Sequence, residues 1–179
     1  MLKNTQTTYG SVTKFFHWLV FFLVVCIIPV GYLMGDIKEE AVRNTVINYH
    51  KITGLCILLL MLLRVTWTSV NPKPALPNTP PWQRVLERIV HFSLYAALIV
   101  MPLAGWVGSV AAGHVPHLFS SSFVLPIAPD KALDDICFKI HNAVAIIIIT
   151  LVSLHIVAAL YHYFVKKDDV LLRIMPGKQ

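Results

Sequence analysis

The stretch IHNAVAIIIITLVSLHIVAALYHYFV, residues 140–165, contains no Asp, Glu, Lys or Arg. A helix needs about 20 apolar residues to cross the hydrocarbon core of a bilayer, which is about 30 Å thick. This stretch is long enough to do so, and yet it contains His141, His155 and His162. Ionisable groups inside a membrane are energetically unfavourable and are rarely present without a function. The stretch therefore predicts a transmembrane helix with functional histidines.

Three further stretches have the same apolar character. The four predicted helices cover residues of about 15–35, 46–70, 86–113 and 138–165. The second one contains Lys51 and Arg64 near its ends, where long cationic side chains can reach the membrane surface. The chain is 56% hydrophobic and 13% charged, and this leaves too few polar residues to cover the surface of a water-soluble domain of 179 residues. We predict a single all-α domain over residues 1–179, an integral membrane four-helix up-and-down bundle.

Lysine and arginine are distributed unequally between the two sides of the predicted bundle. One side holds Lys3, Lys14, Arg64, Lys73, Arg84, Arg88, Lys166, Lys167, Arg173 and Lys178, and the other holds Lys38, Arg43, Lys51, Lys131 and Lys139. Because the side richer in these residues is usually cytoplasmic, we predict that both termini are cytoplasmic. We therefore interpret the net charge of +6 as a consequence of the orientation of the protein in the membrane. We expect no nucleic-acid partner, since no basic run alternates with exposed aromatic residues.

The connections and the tail also carry information. Residues 71–81 are rich in proline, which predicts a stiff, non-helical crossing on the cytoplasmic side. Residues 113–139 mix aromatic residues with Ser and Pro, and we predict that they fold over the outer face of the bundle. Residues 166–175 form a short amphipathic tail, whose cations suit contact with anionic membrane lipid of the inner leaflet.

The spacing of histidines on the last helix indicates a cofactor. His141 and His155 are fourteen residues apart, which places them about 21 Å apart along nearly the same face of an α-helix. Two haems, one near each membrane surface, need such a separation. The same interval separates His17 from Gly31, His50 from Arg64, and His91 from Gly105 on the other three helices.

Neighbouring helices run in opposite directions, so these eight positions separate into two layers. The outer layer contains Gly31, His50, Gly105 and His141, and the inner layer contains His17, Arg64, His91 and His155. We predict that His50 and His141 bind one iron, with the two glycines leaving room for the porphyrin. The inner layer has three histidines, and spacing alone leaves two pairs open: His17 with His155, and His17 with His91. Arg64 is placed to neutralise a haem propionate.

Other metal chemistry does not fit the sequence. No C-x-x-C-H motif is present, so any haem is expected to be bound without thioether links, as haem b. A zinc site is not expected, because there is no H-E-x-x-H motif or Cys/His quartet. A bundle whose histidines merely hydrogen-bond across helices is the alternative, but it does not explain their common interval.

Several motifs together resemble the prokaryotic cytochrome b561 family over essentially the whole chain. They are FHWL at 16–19, HKxxG at 50–54, VHxxLY at 90–95, PLxG at 102–105, HYF at 162–164 and LLRIMP at 171–176. The resemblance implies a di-haem b cytochrome, multi-pass in the bacterial cytoplasmic (inner) membrane. It assigns the outer haem to His50 and His141 and the inner haem to His17 and His155. His91 and His162 then become neighbours of the haem or of a quinone.

The resemblance also implies an activity. Similar proteins exchange electrons with ubiquinone near the inner haem, which points to a quinone site near His17, Trp18, His155 and His162. The best-understood activity in the family is oxidation of periplasmic superoxide. Superoxide is an anion, and Lys51 and Lys139 are the cations adjacent or nearly adjacent to the outer ligands.

We therefore predict an oxidoreductase that transfers electrons across the bilayer from a periplasmic one-electron donor, superoxide first, to ubiquinone. Lys51 and Lys139 would attract the donor. The alternative is a non-catalytic haem b anchor that couples a periplasmic dehydrogenase to the quinone pool.

Overall fold

The computed structural model describes residues 1–74 and 80–177. Its four long helices are α1 (Ser11–Leu33), α2 (Glu40–Ser69), α3 (Pro81–Ala111) and α4 (Lys131–Tyr161). Each helix is long and apolar enough to cross a membrane, and each packs against the next one along the chain. The predicted four-helix up-and-down membrane bundle is confirmed. We call the end where α1 begins and α4 finishes the inner end, and the opposite end the outer end.

The helices begin earlier than the apolar stretches that predicted them. α4 begins at Lys131 because the Asp130 carboxylate accepts hydrogen bonds from the backbone N–H groups of Ala132 (2.9 Å) and Leu133 (3.1 Å). Such a cap satisfies amides that have no partner within the helix. α3 begins at Pro81, whose missing N–H is tolerated at a first helical position. Apolarity marks the part of each helix within the hydrocarbon, whereas α3 and α4 start at residues outside it, at Pro81 and after the Asp130 cap.

The centre of the bundle is apolar. Its buried cluster consists of Val20, Val24, Ile27, Ile57, Met61, Ala97, Leu98 and Ile148. The outward faces of the helices are apolar as well, as Phe22, Leu59, Phe92 and Ile146 illustrate. Apolar residues on both faces are typical of helices that are solvated by lipid. The cluster offers no polar ligand of the kind that a transporter needs at its midplane.

A buried polar network closes the inner end. Asn4 Oδ1 accepts hydrogen bonds from the Gly10 N–H (2.9 Å) and from the Thr13 hydroxyl (2.7 Å). The Thr13 oxygen accepts a third bond, from the Trp67 indole N–H (3.0 Å), and the Asn4 amide donates to the Pro72 carbonyl (3.0 Å). The network therefore ties the segment before α1 to the last turn of α2. The predicted proline-rich crossing begins here, and its residues 75–79 lie outside the described residues.

The loop between α3 and α4 folds over the outer end. It contains a short hairpin of β1 (His117–Leu118) and β2 (Ser121–Ser122). The Asn48 side chain binds the backbone of His117 twice, donating to its carbonyl (2.7 Å) and accepting from its N–H (3.1 Å). The Lys51 ammonium donates to the His114 carbonyl at 3.0 Å. The loop is thus fastened to α2 on both sides of His50.

Candidate functional site

His50 of α2 and His141 of α4 face each other at the outer end. Their ring centres are 6.3 Å apart, with 65° between the ring planes. Two imidazoles that bind one metal from opposite sides, with metal–nitrogen bonds of about 2 Å, have ring centres about 6 Å apart. The space between these rings therefore fits a single ion in the bis-histidine arrangement of a b haem.

An apolar cavity adjoins this pair. Its lining includes both imidazoles, Gly54, Met101, Pro102 and Ile148, and every lining side chain other than the two imidazoles is apolar. Such walls suit the hydrocarbon faces of a porphyrin, and the two imidazoles are suitable axial ligands for its iron, with the Met101 thioether as a further candidate donor in the lining.

The hydrogen bonds of the two rings also suit metal binding. The Nδ1 atom of His141 lies 3.0 Å from the Met101 carbonyl, and because a carbonyl only accepts, Nδ1 carries the proton. Nε2 of His141 is then free as a metal ligand, with its tautomer set by a second hydrogen bond. Nδ1 of His50 is buried without a hydrogen-bond partner among the described residues. An unsatisfied buried nitrogen is unfavourable, which is typical of a site that a ligand completes.

Two glycines lie directly against these imidazoles. A Cβ atom at Gly31 would lie 3.0 Å from Cε1 of His50, and one at Gly105 would lie 3.0 Å from Nδ1 of His141. Both distances are tighter than ordinary van der Waals contact, so even a methyl group would push the rings. A side chain at either glycine would therefore require the neighbouring imidazole to shift by a few tenths of an ångström. Room for a porphyrin at these glycines stays a prediction.

The inner end holds a second pair with the same spacing. The rings of His17 on α1 and His155 on α4 have centres 6.2 Å apart and planes at 63°. His91 of α3 lies closer to His155, at 5.2 Å, and Nδ1 of His91 is 3.5 Å from the Glu87 carboxylate. A separation of 5.2 Å is shorter than the roughly 6 Å between two imidazoles on opposite sides of one metal, so His91 and His155 are not a second pair of this kind. Of the two pairs that the sequence left open, His17 with His155 has the spacing of two axial imidazoles, and this supports that pair.

Arg64 lies beside the inner pair. One of its guanidinium nitrogens is 3.3 Å from Nδ1 of His17, and its Cζ lies 5.1 Å from the centre of the Tyr95 ring. Its Nε is buried without a hydrogen-bond partner, and within residues 1–74 and 80–177 no carboxylate pairs with it. A half-buried cation with spare donors suits an anionic group such as a haem propionate.

The quinone-site candidates lie against the tail. A π-helical turn (His162–Lys166) follows α4, and a short helix, α5 (Val170–Ile174), comes after it. The Trp18 indole N–H donates to the Ile174 carbonyl at 2.9 Å, and the Trp18 ring lies 5.4 Å from that of His17. Nδ1 of His162 is 2.6 Å from the Asp168 carboxylate. Sequence reasoning missed Asp168, and the break from apolar to charged residues after Val165 is the signal that could have pointed to it.

The two proposed donor-site lysines differ in their surroundings. Lys51 is half-buried, with its ammonium bound to the carbonyl of His114. Lys139 is exposed on α4, two residues before His141. Lys51 therefore fastens the outer loop in addition to placing a positive charge beside His50.

Comparison with known proteins gives a consistent set of relatives. A family model described as prokaryotic cytochrome b561 matches residues 8–177. Cytochrome b561 homolog 2 of Escherichia coli (strain K12) is 29% identical over 176 residues, covering 96% of this chain and 93% of that protein. Probable superoxide oxidase CybB of Yersinia pestis is 29% identical over 169 residues, covering 91% and 93%. Cytochrome b562 of Cereibacter sphaeroides is 29% identical over 171 residues, covering 89% of each chain.

Proposed function

Because this chain belongs to the prokaryotic cytochrome b561 family, we propose that it binds two b haems and transfers electrons between a periplasmic one-electron donor and ubiquinone. The family makes it a multi-pass protein of the bacterial inner membrane that binds haem b and transfers electrons. The number of haems, the donor and the acceptor are the proposal. The distribution of Lys and Arg supports an orientation with both termini in the cytoplasm.

One observation carries the proposal: two imidazole pairs with centre-to-centre distances of 6.3 and 6.2 Å lie at opposite ends of the bundle. We assign the outer haem to His50 and His141, and the inner haem to His17 and His155. Each bound haem would supply a one-electron carrier. Arg64 would pair with a propionate of the inner haem, and the apolar core between the two sites excludes water and ions.

The first test is haem stoichiometry. Purified protein should contain two non-covalent b haems per chain with low-spin, bis-histidine spectra, since two imidazole pairs have metal-binding spacing. A pyridine haemochrome assay per chain, with a dithionite-reduced minus oxidised spectrum, measures both. One haem per chain, or none in protein that is folded and monodisperse, would contradict the assignment of two sites.

For the acceptor we propose ubiquinone, bound at the inner end near His17, Trp18, His155 and His162. The spacing of His17 and His155 supports a haem there, and the π-helical turn that carries His162 supports a functional site, because such turns are frequent at functional sites. Imidazole and indole N–H groups are suitable donors to quinone carbonyls. This part of the proposal also rests on the family resemblance.

For the donor we propose superoxide, because one relative is named a probable superoxide oxidase and Lys51 and Lys139 flank the outer pair. Superoxide should reduce the haems rapidly at low salt. The rate should fall at higher ionic strength, because the screening length decreases from about 8 Å at physiological salt to about 3 Å at 1 M. Lys51→Gln with Lys139→Gln should lower the rate by roughly 10-fold, as measured by stopped-flow reduction of the haems, and leave ubiquinol-driven reduction intact.

Lys131→Gln is a matched control, because Lys131 is exposed and its ammonium is bound to Asp135 at 2.8 Å. It should not change the rate with superoxide. If superoxide reduces the wild-type haems no faster than it dismutates spontaneously, the electron-transfer anchor replaces the oxidase.

Phe119 favours this second function, the electron-transfer anchor. Its side chain is 93% exposed on the outer hairpin, and its backbone has a positive φ of 52°. A strained and exposed aromatic residue suits contact with a periplasmic protein.

A further inference from the structure

A carboxylate from the tail holds His162. The distance from Nδ1 of His162 to Oδ2 of Asp168 is 2.6 Å, and the two side chains are 19% and 33% exposed. A carboxylate only accepts hydrogen bonds, so Nδ1 of His162 carries a proton in this pair. By the geometry of the ring, Nε2 then points away from Asp168 and is available to a ligand.

The Asp168 carboxylate is itself fixed in place. Its other oxygen, Oδ1, accepts a hydrogen bond from the Val170 N–H at 3.1 Å, at the start of α5. The Asp168 N–H donates to the His162 carbonyl at 3.2 Å. Lys167 between them has a left-handed conformation, with φ of 55°, and this reverses the chain so that Asp168 lies beside the imidazole. The position of the carboxylate is therefore set by the backbone and not by a flexible side chain.

The far end of α5 is bound to α1. The Lys14 ammonium donates to the Met175 carbonyl and the Trp18 indole N–H donates to the Ile174 carbonyl, both at 2.9 Å. Trp18 follows His17 in the chain and its ring is 5.4 Å from the His17 ring. The tail thus spans the distance from His162 to the inner histidine pair, and Asp168 is its contact with His162.

We propose that Asp168 is the positioning residue of the quinone site, which fixes the proton of His162 on Nδ1 and stabilises the imidazolium so that Nε2–H can donate to a quinone oxygen. The inference rests on the proposed function. Reduction of one ubiquinone to ubiquinol takes up two electrons and two protons. The electrons come from the periplasmic donor through the protein, one proton passes from Nε2 of His162 to a quinone oxygen, and the second comes from cytoplasmic water. Neutral His162, with Nδ1–H still bound to Asp168, then takes a proton from cytoplasmic water.

The test compares Asp168→Asn with Asp169→Asn in full-length, haem-loaded protein. Asn at 168 keeps the shape but can donate to Nδ1, which favours the wrong tautomer, whereas Asp169 is exposed and makes no side-chain cap at α5. Asp168→Asn should lower kcat for reduction of a short-chain ubiquinone by roughly 10- to 100-fold and change KM little, a smaller loss than the roughly 10²–10⁴-fold that a general acid contributes, because His162 itself remains. Asp169→Asn should match wild type. Haem content, reduction potentials and electron transfer to ferricyanide, which needs no proton, should be unchanged in both variants.

Two further variants separate positioning from folding of the tail. Asp168→Ser keeps an oxygen that can cap Val170 and should lower kcat as Asp168→Asn does, while tryptic cleavage after Arg173 stays as slow as in wild type. His162→Ala with Asp168→Asn should be no slower than His162→Ala alone, because residues that act together are not additive. Equal kcat in Asp168→Asn and Asp169→Asn, or additive losses in the double variant, would overturn the inference. Wild-type protein that does not reduce ubiquinone at all would instead remove the proposed function.

Discussion

His141→Ala is expected to remove the outer haem and leave about one haem per chain, in the inner site. The imidazole of His141 is one of the two imidazoles that line the outer cavity, whose other walls are apolar. Without it, His50 provides a single axial bond, and a bis-histidine low-spin haem cannot form. His50→Ala should have the same effect, because the two rings share one site.

The measurement is haem content per chain together with the reduced minus oxidised spectrum of each variant. His114→Ala is a suitable control, since His114 is exposed and contributes only its backbone carbonyl to the contact with Lys51. It should keep two haems. The outer assignment fails if His141→Ala, shown to be folded by circular dichroism and gel filtration, still contains two low-spin haems.

The fold could be predicted almost entirely because a bilayer imposes one strict requirement. Every backbone group within the hydrocarbon must be paired inside the protein, so an apolar stretch of the right length has to be helical. The predicted start of α4 at about residue 138 was late because the cap at Asp130 lies outside the apolar stretch. α3 likewise begins at Pro81 and not at about residue 86. The start of α4 depends on a single polar side chain, and the start of α3 on the proline at its first position.

The two histidine clusters could also be expected from the sequence, because the rise and rotation of an α-helix are fixed. The interval of fourteen residues brings Gly31 to His50 and Gly105 to His141 in the structure. The same interval could not choose a partner for His17, since His91 and His155 lie in the same layer. That choice depends on side-chain distances across the bundle, which spacing along one helix does not contain.

Contacts that depend on the path of the turns and loops could not be predicted from the sequence. Asp168 reaches His162 because Lys167 is left-handed, a conformation that is uncommon for a residue with a side chain. The contact of Lys51 with His114 spans 63 positions of the chain and depends on the path of the outer loop. Both contacts change the interpretation of residues that the sequence had already identified.

The inner haem site allows the effects of replacing two histidines of the same layer, His155 and His91, to be compared directly. His155→Ala is expected to remove the inner haem and leave about one haem per chain, because His17 would lose the ring that lies at the axial spacing of 6.2 Å from it. His91→Ala is expected to keep both haems, because the inner ligands are assigned to His17 and His155 and His91 lies beside His155 as a neighbour of that ligand.

His91 should still affect the inner haem through its contacts. It lies between His155 and the Glu87 carboxylate, so its removal changes the surroundings of a ligand without removing it. Such neighbours of a ligand tune the metal that it binds. A redox titration of His91→Ala should therefore show a shifted potential for the inner haem and an unchanged potential for the outer one, whereas Phe92→Ala, an exposed neighbour on α3, should shift neither. If His91→Ala instead loses the inner haem while His155→Ala retains it, His17 pairs with His91, and α3 rather than α4 supplies the second ligand.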